Sequence, residues 1–477
     1  MVTLGVDGLV SGLDTTSIIT NLMSVEAQPQ TLLKSQLSAT QAKATAYRTV
    51  NTRFDAIRSA AEALTSTSLA AARSASSTNS TVTASATSSA VDGSSVSFRV
   101  EQLATAKQVT SLEKWSSPTA RADEQPKPVW PIKVLDSTGA TVGSIVIPAN
   151  ATLTDAVSAI NASGYGVHAT IVQLAANQFR LQVSSDGTGT DGARTLQGAD
   201  ETADDPQSQT VGTAESGFQR SRDAVNAQIS IDGTGYVRES STNTFADLMT
   251  GVSVTVSKAD PTATSPTTIS VGVDGSAIAA KVKALVDAAN GALGVIKGYT
   301  VSTAGSAVAT LQGDRALVQL GDSVMDAVSS AIGGKSLSTL GLQLNKDGTL
   351  SFDSGKFTAT LASDPTTVNR LLSGVPATTT DGVTTAAVPG FADKIAALAK
   401  AASNSSTGTL VQLANGRDTL ANAIQDKIDG WDIRLANRKD TLTKQFTALE
   451  TALSTIKNQA SWLSSQINQL YNPNKSS

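Results

Sequence analysis

The chain has 477 residues, a hydrophobic share of 40%, and 36 basic against 40 acidic residues, which gives a net charge of -4. This length exceeds what one hydrophobic core usually serves, so we expect two to four domains. The balanced charge, without a basic cluster, excludes a nucleic-acid surface. The absence of cysteine excludes disulfides and thiol chemistry.

The N-terminal segment predicts a short helix followed by a long one. Asp14 is placed as the N-cap of a helix that reaches about Glu26, and Pro29 interrupts that helix. Beyond Pro29, apolar residues recur at spacings of three and four, which is typical of a coiled coil. The residues of this N-terminal seam are Leu33, Leu37, Tyr47, Val50, Phe54, Ile57 and Leu64.

The same segment has neither a charged signal-peptide start nor a membrane span. The first basic residue is Lys34, and no apolar run approaches the roughly 20 residues that cross a bilayer. We therefore expect no membrane insertion, and either a cytoplasmic location or export without a cleaved signal peptide.

The centre of the chain is predicted to be rich in β-structure. Residues 74–90 are almost entirely Ser, Thr and Ala, but alternation in 82–86 and in 96–100 flanks a turn signal at Asp92-Gly93. This pattern favours a β-hairpin over a flexible linker. Further short strands are predicted to about residue 273, with one helix among them. Their segments are IKVLD, SIVIP, GVHATIVQ, FRLQVSS, NAQISID, GYVRE and GVSVTVS, and the helix is LTDAVSAINA.

Helical periodicity returns after Asp274 and continues to the C-terminus. Apolar spacing predicts helices that begin near Ile278, Leu317 and Phe391, and LGLQLNKDGTLSFD predicts a hairpin that turns at Asp347-Gly348.

The last helix is predicted to run continuously from about residue 418 to 470. Its apolar residues repeat every seven positions, with intervening ones at four and three, as in a coiled coil. The predicted coiled-coil and oligomer seam is Ile428, Leu435, Leu442, Phe446, Leu449, Leu453, Ile456, Leu463, Ile467 and Leu470. A helix of about 80 Å is too long for one local core, so this seam either closes an intramolecular hairpin or joins subunits.

No convergent catalytic or metal-binding set is visible. His168 is the only histidine and falls on the solvent face of a predicted strand, so a His-dependent triad is not expected. The GTGTDG segment at 187–192 matches a dinucleotide-binding glycine pattern, but no periodic helix follows it, and we interpret it as a loop. The acidic residues between 200 and 205 lack the spacing of a calcium loop. We therefore predict no enzyme activity, no cofactor and no metal.

Five segments, in order, resemble the flagellar hook-associated protein 2 family, whose members are filament caps. They are GLVSGLDTTSIITNLMSVEAQPQTLLKSQ, SVSFRVEQLATAKQV, AQISIDGTGYVRESSTNTFADLMTGVSVTV with the TISVGVDGSAIAAKVKALVDAAN that follows, STLGLQLNKDGTLSFDSGKFTATLASDPTTVNRLLSG, and KIDGWDIRLANRKDTLTKQFTALETALSTIKNQASWL. The resemblance covers nearly the whole length and is weakest from about residue 129 to 225.

The resemblance implies an α+β multidomain fold with a helical coiled-coil terminal domain, a helical leg domain and two β-rich head domains inserted in the middle. The implied boundaries are 1–44 with 432–477 for the terminal domain, 45–70 with 274–431 for the leg, 71–128 with 226–273 for the first head domain, and 129–225 for a variable outer head domain.

The resemblance also implies a structural cap at the distal tip of the bacterial flagellar filament, which promotes folding and insertion of exported flagellin. Implied partners are further copies in a small ring, flagellin, hook–filament junction proteins and a flagellar export chaperone, and the implied location is extracellular. The alternatives are another axial protein, such as flagellin or a junction protein, and a surface adhesin with a coiled-coil stalk.

Overall fold

The computed structural model describes most of the chain. The described residues are 12, 14–65, 69, 71–199, 214–215, 217–231, 235–302, 307–375, 377–380 and 383–471. Ser11 and Leu13 of the predicted Ser-Gly-Leu-Asp turn lie outside them, as do the acidic residues between 200 and 205. The chain forms two compact units, Met1–Ser66 with Ile278–Ser477, and Thr67–Ala277.

The first unit begins with the two helices that the sequence predicts. Helix α1 spans Thr15–Glu26 and helix α2 spans Gln28–Glu62. The Asp14 carboxylate accepts a hydrogen bond of 2.8 Å from the Ser17 backbone N–H, which confirms the predicted N-cap. Pro29 occupies the first turn of α2, where its missing N–H costs nothing.

The second unit is built of antiparallel strands. Its strands are β1 (Arg73–Ser77), β2 (Val82–Ala86), β3 (Ser95–Gln102), β4 (Gln108–Ser111), β5 (Ile132–Leu135), β6 (Thr141–Ile145), β7 (Val167–Ala175), β8 (Gln178–Ser185), β9 (Thr195–Gln197), β10 (Ala214–Glu215), β11 (Phe218–Arg222), β12 (Ala227–Ile231), β13 (Val237–Ser240), β14 (Thr244–Met249), β15 (Val252–Val256) and β16 (Thr267–Val273). Its helices are α3 (Leu153–Ala162) and α4 (Gly189–Gly192).

The first core of this unit lies between two sheets. One sheet has the order β1-β16-β3-β12-β13 and the other has the order β14-β15-β2. Apolar residues of both sheets form one cluster, in which Phe98, Ile229, Val254 and Ile269 are fully buried. The inward-facing side chains alternate along each strand, as expected for facing sheets.

The predicted hairpin between residues 82 and 100 is wrong. The Asp92-Gly93 turn is present, with Gly93 at φ 77°, but it connects strands of different sheets. Strand β2 pairs with β15, and β3 pairs with β16 and β12. Strands β2 and β3 lie on opposite sides of the first core and both bury apolar residues in it. They therefore belong to different sheets, and each pairs with strands from residues 227–273 instead of with the other.

A second core lies in residues 109–218. It is formed by the sheet β10-β11-β4-β8-β7, the sheet β6-β5-β9 and helix α3. Thr152 and Asp155 form a capping box at the start of α3. Val109 and Trp115, which the prediction places in the first head domain, belong to this second cluster.

Two sequence interpretations concern this second core. The segment 187–192 is not wholly a loop, because it contains the four-residue helix α4, and strand β9 follows it. His168 is exposed on β7 between the buried residues Val167 and Ala169, as its alternation predicts.

The remaining elements return to the first unit and are mainly helical. They are α5 (Gly275–Thr300), α6 (Arg315–Ser329), a 3-10 turn (Leu337–Leu340), β17 (Leu342–Leu344), β18 (Leu350–Phe352), α7 (Ser354–Ser363), α8 (Pro365–Ser373), β19 (Thr378–Thr380), β20 (Val383–Thr385), α9 (Phe391–Ser403) and α10 (Thr409–Tyr471). The predicted hairpin at Asp347-Gly348 is confirmed, since β17 pairs with β18. The continuous last helix is confirmed as well, but it begins earlier than predicted, at Thr409.

Candidate functional site

The two ends of the chain form an antiparallel helical hairpin. Helix α10 packs along α2 and then along α1. Polar contacts fix the register: Arg48 pairs with Asp418, the Gln30 amide donates to Asp432, and Arg438 pairs with Glu26 at 3.2 Å. Helix α10 has 63 residues, so it is about 95 Å long.

The N-terminal seam lies inside this unit. Tyr47, Val50, Phe54 and Ile57 are fully buried on α2, which packs against α9 and α10, and Leu64, two residues past the end of α2, is fully buried as well. Leu33 and Leu37, nearer the N-terminus, are half-buried along α10. These side chains therefore hold the hairpin to the helical unit of their own chain.

One polar contact anchors the buried end of that seam. The Tyr47 hydroxyl donates a hydrogen bond to the Asp314 carboxylate, which also accepts from the backbone N–H groups of Ala316 and Leu317 and so caps α6. Burial, followed by the bond to Asp314, raises the pKa of Tyr47 above its ordinary value, and Arg417 acts in the opposite direction. The phenol therefore remains protonated and keeps the helices in register.

The C-terminal seam changes its environment along α10. Ile428 and Leu442 are buried, and Leu435, Phe446 and Leu453 are half-buried. The remaining residues with a described side chain are between 46% and 60% exposed, and they are Leu449, Ile456, Leu463 and Ile467. The side chain of Leu470 lies outside the described residues. We call residues 449–467 the α10 tail.

The exposure of the α10 tail follows from the lengths of the helices. Glu26 lies opposite Arg438, and α1 begins eleven residues before Glu26, at Thr15. In an antiparallel pair, Thr15 therefore lies opposite about residue 449. Beyond that point neither α1 nor α2 reaches α10, although the heptad pattern continues unchanged.

The sequence interpretation missed a second group of apolar residues at this end. Leu22 and Val25 on α1 and Leu32 on α2 are exposed. They stand beside the buried face that contains Ile19 and Gln30. A signal was available, because Ile18, Leu22, Val25, Pro29 and Leu32 keep a spacing of four and three across the break at Pro29.

The described part of the chain was compared with the requirements of a metal site and of a membrane-spanning helix. Within it, no three His, Cys, Asp or Glu side chains group in a way that could hold a metal ion. None of the helices there is both long enough and apolar enough to cross a bilayer.

Two family models match the chain. The one described as flagellar hook-associated protein 2 N-terminus matches residues 11–107, and the one described as flagellar hook-associated protein 2 C-terminus matches residues 224–458. Together they cover more than half of the chain. The unmatched part between them contains most of the second core.

Relatives with the same name match over most of their length. The chain is 26% identical to flagellar hook-associated protein 2 of Escherichia coli strain K12, over 96% of this chain and 97% of the relative. It is also 26% identical to A-type flagellar hook-associated protein 2 of Pseudomonas aeruginosa, over 82% of this chain and 87% of the relative.

A solved structure shares the fold. The crystal structure of the D1, D2 and D3 domains of the flagellar cap protein FliD from Escherichia coli matches with a TM-score of 0.51 at 22% identity, over 78% of this chain and 100% of that one. This match agrees with the α+β multidomain architecture. Because the two family models together match residues 11–107 and 224–458, the chain belongs to the flagellar hook-associated protein 2 family.

Proposed function

We propose that this chain is the structural cap at the distal tip of a bacterial flagellar filament, where it promotes folding and insertion of exported flagellin. The observation that carries the proposal is the α10 tail, a heptad seam that continues about 27 Å past its own partner helices. The proposal is also supported by the family, because a solved structure with this fold is that of a flagellar cap protein.

The exposed tail supports self-assembly. Leu449, Ile456, Leu463 and Ile467 lie on one stripe, and a stripe of this kind in water favours association with another apolar surface. Several copies in a small ring would cover it. Polar residues between the seam positions, such as Gln445, Gln459 and Gln466, dilute the apolar stripe and favour reversible contacts over a permanent junction.

The proposed mechanism is geometric rather than catalytic. A ring of head domains closes the exit of the filament channel, so an arriving flagellin is confined and folds beneath it. Weak contacts of the hairpins then let the cap step outward after each insertion. Flagellin and the hook–filament junction proteins are the proposed partners outside the cell, and an export chaperone is the proposed partner before export.

Four domains suit this role. We assign the terminal coiled-coil domain to 1–44 with 432–477, the leg to 45–70 with 274–431, and two head domains to 71–128 with 226–273 and to 129–225. The two separate β-rich cores support two head domains, and membership of Val109 and Trp115 in the second core supports a boundary nearer residue 105.

Complementation tests this function. In a strain that lacks its own copy of the gene, the full chain is expected to restore filaments of normal length and swimming. A chain that ends at Ser454 keeps every residue of the hairpin that is described as buried, and it is expected to leave cells without filaments and with monomeric flagellin in the medium. The cap function would be ruled out if the full chain is exported at its usual level and the cells still form no filaments.

A further inference from the structure

Strand β7 is the longest of the described strands that lie at the edge of a sheet. It has nine residues and ends the order β10-β11-β4-β8-β7. Its sequence, VHATIVQLA, contains no Asp, Glu, Lys, Arg, Pro or Gly. Uncharged segments with many β-branched residues pair readily with strands of other molecules when their edge is open. A strand of this composition therefore needs protection that its own sequence does not supply.

Other edge strands of the β-rich unit are protected by length, charge or irregularity. Strand β10, at the opposite edge of the same sheet, has two residues. Strand β13 carries the exposed charged residues Arg238 and Glu239, and the pairing of β6 and of β14 is interrupted by register shifts. In β7 a register shift occurs only near the end, between Gln173 and Ala175. Most of β7 thus lacks these forms of protection.

The side chain of Asn161 occupies part of the β7 edge. Asn161 lies in the last turn of α3. Its Oδ1 accepts a hydrogen bond of 2.7 Å from the backbone N–H of Ala169, and its Nδ2 donates one of 3.1 Å to the carbonyl oxygen of Ala169. An adjacent antiparallel strand would make the same pair of bonds with Ala169. The carboxamide therefore takes the place that an added strand would need.

The contact leaves little of the edge open towards the end of β7. In an antiparallel pair, every second residue directs its N–H and C=O away from its partner strand. Ala169 is such a residue in β7, so the next one is Ile171, and the register shift begins two residues later. One outward-facing residue is too few for a ladder with a second strand, so Asn161 and the shift together close this edge.

The same arrangement recurs on another edge strand of the chain. Asn290 of α5 accepts a hydrogen bond of 2.7 Å from the backbone N–H of Leu350 and donates one of 2.8 Å to its carbonyl oxygen. Leu350 begins β18, whose one neighbour in the sheet is β17. An asparagine side chain thus occupies a sheet edge in both compact units.

We propose that Asn161 is a guard residue that prevents two copies of this chain from joining through their β7 strands. The inference goes beyond the proposed cap function, in which several copies stand side by side at high local concentration. Without the carboxamide, Ala169 and Ile171 would present two successive outward-facing residues. In an antiparallel pair of β7 strands, Ala169 of each copy would lie opposite Ile171 of the other, and the two sheets would continue into each other.

The mass of Asn161→Ala in solution tests the guard. Light scattering of the full chain is compared with that of the wild type over a range of concentrations. We expect the weight-average mass of the variant to be at least twice that of the wild type at the highest concentration. Adding Thr170→Lys should return the mass to the wild-type value, because Thr170 is exposed on β7 and a lysine on an edge strand opposes strand addition.

Asn243→Ala is the matched control. Asn243 makes the same pair of bonds, at 2.8 Å and 3.4 Å, with Ala104. Ala104 lies just after β3, which has β16 and β12 on its two sides. The control therefore removes an equivalent pair of hydrogen bonds next to an interior strand, and its mass should equal that of the wild type.

Each outcome decides for or against the guard. Asn161→Ala at the wild-type mass would overturn it. An equal rise in mass for Asn243→Ala would attribute association to lost stability, and a double variant with Thr170→Lys that stays associated would place the contact elsewhere than β7. Circular dichroism checks folding. If Asn161→Ala is unfolded, Asn161→Ser, which keeps a polar side chain too short for both bonds, must show the rise instead.

Discussion

Replacing Ile456 by Asp is expected to abolish swimming without destabilising the single chain. Ile456 is 60% exposed on α10, so the free energy of unfolding should change by less than about 0.5 kcal/mol. In the assembled cap the same side chain would enter an apolar seam, where an unpaired carboxylate costs several kcal/mol. Cells should therefore secrete monomeric flagellin, and swimming speed should fall more than tenfold in motility tracking.

Ile433 provides a matched control on the same helix. It is 66% exposed and is isoleucine too, but it lies outside the heptad stripe. Ile433→Asp should leave swimming and filament length near the wild-type level. Equal loss of motility in both variants would mean that any charge on α10 is harmful, and normal swimming by Ile456→Asp would remove the tail from the mechanism.

The largest loss of stability is expected from Phe54→Ala. Phe54 is fully buried on the face of α2 that packs against α9 and α10. Truncating a buried phenylalanine removes its burial and leaves a cavity, which costs about 3–5 kcal/mol. Chemical denaturation followed by circular dichroism should show this loss in the transition of the helical unit.

Protein concentration distinguishes a core residue from an interface residue in this test. The loss caused by Phe54→Ala should be the same at low and high concentration, because the contact lies within one chain. The half-buried Phe446 serves as the control, and Phe446→Ala should cost about 1 kcal/mol. A loss for Phe54→Ala that grows with concentration would place this seam between subunits instead.

Local sequence patterns predicted the helical elements well. The Asp14 cap, the long last helix and the hairpin at Asp347-Gly348 each depend on residues a few positions apart, and the structure contains all three. Heptad spacing also identified the apolar stripe of α10. These features are local, so the sequence alone is sufficient to predict them.

Sequence patterns did not predict which strands pair or which seam residues are covered. Strand β2 pairs with β15, about 170 residues later, and no feature of β2 itself specifies that partner. Ile428 and Ile456 occupy equivalent heptad positions, yet one is buried and the other is exposed. The difference arises because α1 begins at Thr15, which is a property of the other end of the chain.

The reactivity of a single thiol in the α10 tail tests most directly whether assembly covers this stripe. Leu463→Cys and Ile433→Cys would each be alkylated in dilute single chains and in the assembled cap. We predict that assembly slows the reaction of Leu463→Cys at least tenfold and leaves that of Ile433→Cys unchanged. Equal rates for Leu463→Cys in the two states would show that the tail stays in water, and would contradict its role as the contact between subunits.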